Sequence, residues 1–154
     1  MWHTGAGDEI LITKMLTIVR DHVKQNGSVY VGTDSFISKD ACTFATAICL
    51  HGADEQRGGK YFFRKVSFKR EKFSDLVRRI TQEVQESVMI AILVTEHVPE
   101  ANIELHIDIS PSHKQNKTSK FADMLTGFAN GAGFDCKVKP DAWASQSVAD
   151  KHSK

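Results

Sequence analysis

From Asp8 to Gln25 the apolar residues Leu11, Ile12, Met15, Leu16, Val19 and Val23 recur at the spacing of one helix face, and Gly27 is placed to close that helix. The period then changes to two. In Ser28 to Ser35, Val29, Val31 and Thr33 fall on one face and Tyr30, Gly32 and Asp34 on the other, the pattern of a strand. Cys42 to Leu50 and Lys60 to Phe68 read as further strands, separated by the turn-prone run Gly52 to Gly59. Helical spacing returns where Leu76, Ile80, Val84, Val88 and Ala91 form a stripe that Ser74 can cap. Ile103, Leu105, Ile107 and Ile109 then alternate with Glu104, His106 and Asp108, predicting a strand whose polar face ends in Asp108. Phe121, Met124, Leu125 and Phe128 mark another helix, Phe134 to Lys139 a short strand, and Asp141 can cap a last helix starting at Ala142.

Helix, three strands, helix, strand, helix, strand, helix is the pattern of an α/β fold. An antiparallel meander comes first and right-handed crossovers to parallel strands follow. If the strand ending at Asp108 pairs beside the one holding Asp34, the five-stranded mixed sheet has the order 3-2-1-4-5, flanked by helices. The two aspartates then meet where progress across the sheet reverses, and open α/β sheets place their sites there.

With 154 residues the chain fits one domain, residues 1–154, with residues 1–27 as an N-terminal helix packed on it. A hydrophobic content of 41% and a charged content of 25% are ordinary for a soluble protein, and no apolar run is long enough for a membrane span. The opening Met1-Trp2-His3-Thr4-Gly5 lacks the pattern of a secretion signal, so the expected location is cytoplasmic. Cys42, Cys49 and Cys136 form no CxxC pair and read as core fillers. A formal net charge of +1 leaves attraction of nucleic acid to local patches: Arg64, Lys65, Lys69, Arg70 and Lys72, and the loop with His113, Lys114, Lys117 and Lys120. Either patch also suits a plain solvated face.

Asp34 and Asp108 both lie near strand ends, off the apolar faces. Two carboxylates in contact repel by roughly 1 to 4 kcal/mol, so such a pair calls for a cation or a shared proton. Oxygen ligands without thiolates or paired histidines favour Mg²⁺ or Mn²⁺ over zinc, and those ions suit phosphodiester hydrolysis. On its own, an aspartate late in a strand also fits a turn or cap.

Three runs carry a resemblance: Val31-Gly32-Thr33-Asp34-Ser35; His106-Ile107-Asp108-Ile109; and Lys139-Pro140-Asp141-Ala142-Trp143-Ala144 followed by Val148-Ala149-Asp150-Lys151-His152. Together they resemble a bacterial family assigned to the ribonuclease H-like superfamily, over nearly the whole chain. The resemblance implies a metal site of three or four acids supplied by the first strand, the helix after the meander, the fourth strand and the last helix. Asp34 and Asp108 match the strand positions, and Asp150 looks like the acid of the last helix. Asp141 competes with it but reads equally as a cap.

The acid from the helix after the meander is contested. Glu83 falls on the apolar stripe seven residues beyond Leu76, where a carboxylate needs a partner. Depth opposes it, because nine residues at 1.5 Å each carry Glu83 about 13 Å from the helix start. Asp75 lies nearer that end but on the polar face, as a first-turn acid favoured by the helix dipole. Glu83 is the preferred ligand. His152, two residues beyond Asp150, is a candidate for proton transfer or phosphate contact, whereas His106 fits a histidine packed and hydrogen-bonded under a helix.

Ser35, His113, Lys114 and Lys117 complete the expectation as phosphate-positioning groups beside the acids. The implied activity is a metal-dependent nuclease acting through two Mg²⁺ or Mn²⁺ ions on RNA, an RNA–DNA hybrid or structured DNA. The alternative is a catalytically inactive nucleic-acid-binding module of the same fold. ATP binding is disfavoured, since the chain carries no glycine-rich phosphate loop.

Overall fold

The computed structural model describes residues 1–110 and 121–154. In chain order the elements are β1 (Trp2–Thr4), β2 (Glu9–Ile10), α1 (Ile12–Lys24), β3 (Ser28–Ile37), β4 (Ala41–His51), β5 (Lys60–Lys69) and α2 (Leu76–His97). They continue with β6 (Ile103–His106), α3 (Ala122–Gly131), β7 (Asp135–Lys137), a π-helical turn (Ala144–Ala149) and α4 (Asp150–Ser153).

The sheet has seven strands in the order β2-β1-β5-β4-β3-β6-β7. The run β5-β4-β3-β6-β7 is the expected 3-2-1-4-5 arrangement, with an antiparallel meander and then parallel pairing of β3 with β6 and β6 with β7. The expectation of five strands is corrected to seven by β1 and β2. Residues 1–27 are therefore not all helix: Glu9 pairs with His3 and Trp2 with Arg64, and the helix starts only at Ile12. The physical reason is burial, because strand pairing sinks Trp2 and Ile10 into the core while Leu11 and Ile12 stay exposed.

Helix α1 ends in a Schellman turn. Asn26 takes the left-handed conformation (φ 64°), its N–H bonds Val23 O at 3.0 Å, and Gly27 N–H bonds His22 O at 3.0 Å. One main core fills the space between the sheet and α1, α2 and α3, with Met15, Val19, Val31, Ile48, Val84, Ala91 and Leu105 at its centre. The predicted stripe of α2 is buried there except for its first member, Leu76. Asp75, not Ser74, caps that helix, its Oδ1 accepting from Val77 N–H at 2.9 Å. In α3 the buried positions are Ala122, Leu125 and Ala129, while Met124 and Phe128 face outward, so the helix is turned from the orientation its larger apolar residues predict.

The opposite face of the sheet carries the C-terminal segment. A cap by Asp141 is not seen; the segment starts its π-helical turn at Ala144 with no side-chain cap. It lies so close to β3 that a Cβ at Gly32 would stand 2.5 Å from the backbone nitrogen of Ser145. No helix among the described residues is long and apolar enough to cross a membrane.

Candidate active site

Parallel pairing of β3 with β6 sets Gly32 opposite His106, and Asp108, two residues beyond, is near enough for its charge to act on Asp34. Asp34 projects toward the C-terminal segment, where Ser153 Oγ donates to its Oδ2 at 2.9 Å. The neighbouring carboxyl of Asp150 acts on the same group and raises its pKa. Asp34 thus stands at the strand-order reversal, with the last helix against it on one side.

Ser35 follows Asp34 and, by strand alternation, projects to the other face, against α2. Its Oγ accepts from Arg79 Nε at 2.6 Å, its carbonyl accepts from Arg79 Nη2 at 2.7 Å, and its hydroxyl donates to Glu83 Oε2 at 2.5 Å. A guanidinium only donates, so the hydroxyl oxygen accepts from Arg79 and its own proton is left for the Glu83 carboxyl. Arg79 and Glu83 lie four residues apart on α2, and Ser35 links them.

Glu83 and Asp75 are thereby separated in role: Glu83 is buried between Ser35 and the other acids, while Asp75 is an exposed cap. The depth argument against Glu83 fails because β3 continues three residues past Asp34, about 10 Å, which matches the ~10 Å climb from Leu76 to Glu83. A crevice lined by Thr33, Glu83, Ser87, His106 and Asp108 joins Glu83 to Asp108.

Burial pushes the Glu83 carboxyl up to about 8, with Asp34 and Asp108 adding to the rise and Ser35 and Arg79 opposing it. Asp34 is pushed up to about 6, first by burial, with Asp150 and Asp108 adding and the Ser153 hydroxyl opposing. Asp34 thus feels Asp108 and Asp150, and Glu83 feels Asp34 and Asp108.

Among the described residues no three His, Cys, Asp or Glu side chains stand as a formed metal-ligand set. Each acid instead has a protein partner: Ser153 for Asp34, Ser35 for Glu83, Lys139 Nζ at 3.3 Å for Asp108 and Lys154 Nζ at 3.2 Å for Asp150. Asp108 Oδ1 is buried and accepts no hydrogen bond, its contact with Lys139 being an ion pair without hydrogen-bond geometry. An all-oxygen set of mutually repelling carboxylates, one with an unsatisfied buried oxygen, fits a hard divalent cation in its chemistry.

The other expected residues fall elsewhere. His152 is stacked on Phe63 with ring centroids 3.6 Å apart, and its Nε2 is bonded to the Tyr61 hydroxyl at 2.9 Å. Burial and then the charge of Lys65 lower its pKa. Ser35 has its hydroxyl engaged inside the protein, which a role as a phosphate-positioning group did not foresee. His113, Lys114 and Lys117 lie outside the described residues. His106 is packed beneath the C-terminal segment as expected: Ala144 N–H donates to its Nδ1 at 2.9 Å, so the ring proton sits on Nε2 and goes to Glu104 Oε1 at 2.9 Å. Burial lowers its pKa and keeps the ring neutral. Ser153 was missed too; its only sequence signal is its position three residues beyond Asp150.

Among the described residues, Glu83 and Asp108 border a narrow crevice. A concavity of about 600 Å³ lies away from them, lined by residues such as Asp21, His22, Asp54 and Arg57.

A family profile described as ribonuclease H-like matches residues 11–154. The chain is also similar to a protein of Bacillus subtilis (strain 168) named "Uncharacterized protein YkuK", at 24% identity over 157 residues covering 94% of this chain and 89% of that one. No solved structure matches the chain.

Proposed function

The chain belongs to the ribonuclease H-like family, and from that premise we propose that it is a metal-dependent nuclease whose Asp34, Glu83, Asp108 and Asp150 hold Mg²⁺ or Mn²⁺. The observation that carries this reading is the burial of acids close to one another: burial first, and then the neighbouring carboxylates, push Glu83 up to about 8 and Asp34 up to about 6. A fold gains nothing from burying mutually repelling carboxylates unless a cation offsets them when the protein works. Bound at these oxygens, the cation would supply activation of water and neutralisation of the leaving oxygen in phosphodiester hydrolysis.

The chain's own residues would do the rest. Arg79 holds Ser35, and Ser35 holds Glu83 in one orientation. Lys139 stands beside Asp108, where an ammonium also suits a phosphate oxygen. Ser153 keeps Asp34 turned toward Asp150. RNA, an RNA–DNA hybrid and structured DNA are the substrates to be compared.

The second reading, a nucleic-acid-binding module without turnover, is favoured by the protein partner that each carboxylate already has and by the lack of a formed ligand set among the described residues. Cleavage of labelled RNA, hybrid and DNA in Mn²⁺, Mg²⁺ and EDTA separates the two. The nuclease reading expects cation-dependent cleavage of at least one substrate, lost in Asp34→Asn. Binding of nucleic acid with no cleavage of any substrate in either cation supports the module.

A further inference from the structure

The sheet face that carries Asp34 is divided in two. One half lies under the C-terminal segment, where Ala47 and Cys49 pack against Ala144 and Ala149, flanked by Tyr30, Tyr61 and Val148. The cover ends at Asp34, which Ser153 meets, and at Phe63, on which His152 stacks.

Beyond that boundary the alternation of β3, β4 and β5 places Phe36, Thr43, Lys65, Ser67 and Lys69 on this face. Asp34, Ala45 and Lys65 form one register row across the strands, and Phe36, Thr43 and Ser67 form the next. Ala45, between Asp34 and Lys65, leaves the row low at its middle. Lys65, Ser67 and Lys69 are exposed, and so is the Phe36 ring, 40% open. Lys65 and Lys69 make no ion pair among the described residues. Thr43 and Ser67 bond each other at 2.8 Å and present hydroxyl oxygens between the ring and the lysines. The reverse face is closed by Cys42, Phe44 and Phe73 packed with Ile37 and Phe68, so the strip has a firm backing.

A lone exposed phenylalanine needs no explanation. This one stands two residues from Asp34 on the same face, about 7 Å along the strand, with exposed lysines across the sheet at about 10 Å. A flat ring beside cations and hydroxyls is how a protein holds unpaired nucleotides: the base stacks on the ring and the phosphates meet the ammonium groups. A duplex keeps its bases stacked inside and has none to offer such a ring.

We propose that this strip binds single-stranded nucleic acid, with a base on Phe36 and the flanking phosphates on Lys65 and Lys69, and so presents an unpaired stretch to the Asp34 cluster. The proposal rests on the reading of that cluster as the cleavage site, but only for the use to which the bound strand is put. It makes the unpaired strand, not a continuous duplex, the preferred substrate.

The test is fluorescence anisotropy of a short labelled oligouridylate, alone and annealed to its complement, with the full-length protein in EDTA. The single strand is expected to bind more tightly than the duplex. Phe36→Ala weakens single-strand binding roughly tenfold, and Phe36→Trp retains it. Lys65→Ala with Lys69→Ala lowers the slope of log affinity against log salt by about 0.7 for each phosphate contact removed. Circular dichroism confirms that the variants are folded, which their exposed positions favour. No measurable binding, equal binding by Phe36→Ala, or tighter binding of the duplex overturns the proposal. Binding through Phe36 by a protein that never cleaves removes the nuclease reading and leaves this one standing. Cation-dependent cleavage with Phe36→Ala binding unchanged does the reverse.

Discussion

Ser35 donates its hydroxyl proton to Glu83 while accepting from Arg79, so the guanidinium acts on the acid through a single oxygen. That link ties α2 to β3 at the depth of Asp34. It makes the orientation of Glu83 depend on a residue one helical turn earlier.

Arg79→Met removes both donors to Ser35, to Oγ and to the carbonyl. The expected loss is about 2 kcal/mol, since partly buried hydrogen bonds to a charged group contribute roughly 1.5 to 3 kcal/mol each and some of that is recovered by water. Arg79→Lys should not restore it, because one ammonium cannot reproduce the fork that spans both atoms. Urea denaturation reads the loss; wild-type stability in Arg79→Met would show the link to be idle.

The raised pKa of Glu83 makes the metal-free protein pH-sensitive. Folded Glu83 holds its proton more tightly than the unfolded chain does, so the linked stability is complete below about 4.5 and is lost as pH rises through about 8. Glu83→Gln should therefore match the wild type near pH 4 and exceed it near pH 8, by on the order of 3 kcal/mol, in EDTA. Denaturation midpoints across that range check it. A variant less stable than wild type at pH 8 would mean that the carboxylate is better satisfied than its burial implies.

Gly32→Ala places a methyl group 2.5 Å from the Ser145 backbone. Neither strand β3 nor the π-helical turn can give way cheaply, and overpacking of this kind costs typically 1 to 3 kcal/mol. A lower melting temperature is expected, with lower metal affinity because Asp150 and Ser153 are carried away from Asp34. An unchanged melting temperature would show that the C-terminal segment is loosely seated.

His106→Gln tests the same seating from below. The neutral ring bonds Ala144 N–H and Glu104 at once, and glutamine cannot meet both because its oxygen and nitrogen sit on one terminal carbon, with no acceptor at the Nδ1 position. Its pKa is lowered by burial, so the wild type keeps this contribution above the ordinary value of 6.5 and loses it as pH falls through the folded value. The variant should be less stable at pH 7, with the deficit shrinking in acid; a constant deficit at all pH values would assign the loss to packing alone.

Much of this was legible in the chain because burial imposes periods. Val29, Val31 and Thr33 alternate since one face of β3 meets α2, and the same alternation puts Asp34 on the other face. Strands β1 and β2 escaped because three and two residues are too few to show a period, leaving only Trp2 and Ile10 as signals. Glu83 was legible as a carboxylate among apolar neighbours; its depth was misjudged because the length of β3 beyond Asp34 is a tertiary fact. Ser153 and Arg79 had no pattern of their own, since a hydroxyl or a guanidinium that steadies an acid is identified only by what lies opposite it.

The central claim is that the four acids take up a divalent cation, and calorimetric titration of Mn²⁺ at pH 7 tests it most directly. In the metal-free protein Glu83 holds a proton at that pH, so binding should release close to one, seen as an enthalpy that changes with the ionisation enthalpy of the buffer. Release should diminish above pH 8, and both heat and release should be lost in Asp34→Asn. Absence of binding by the wild type, or binding that persists unchanged in Asp34→Asn, would contradict the account.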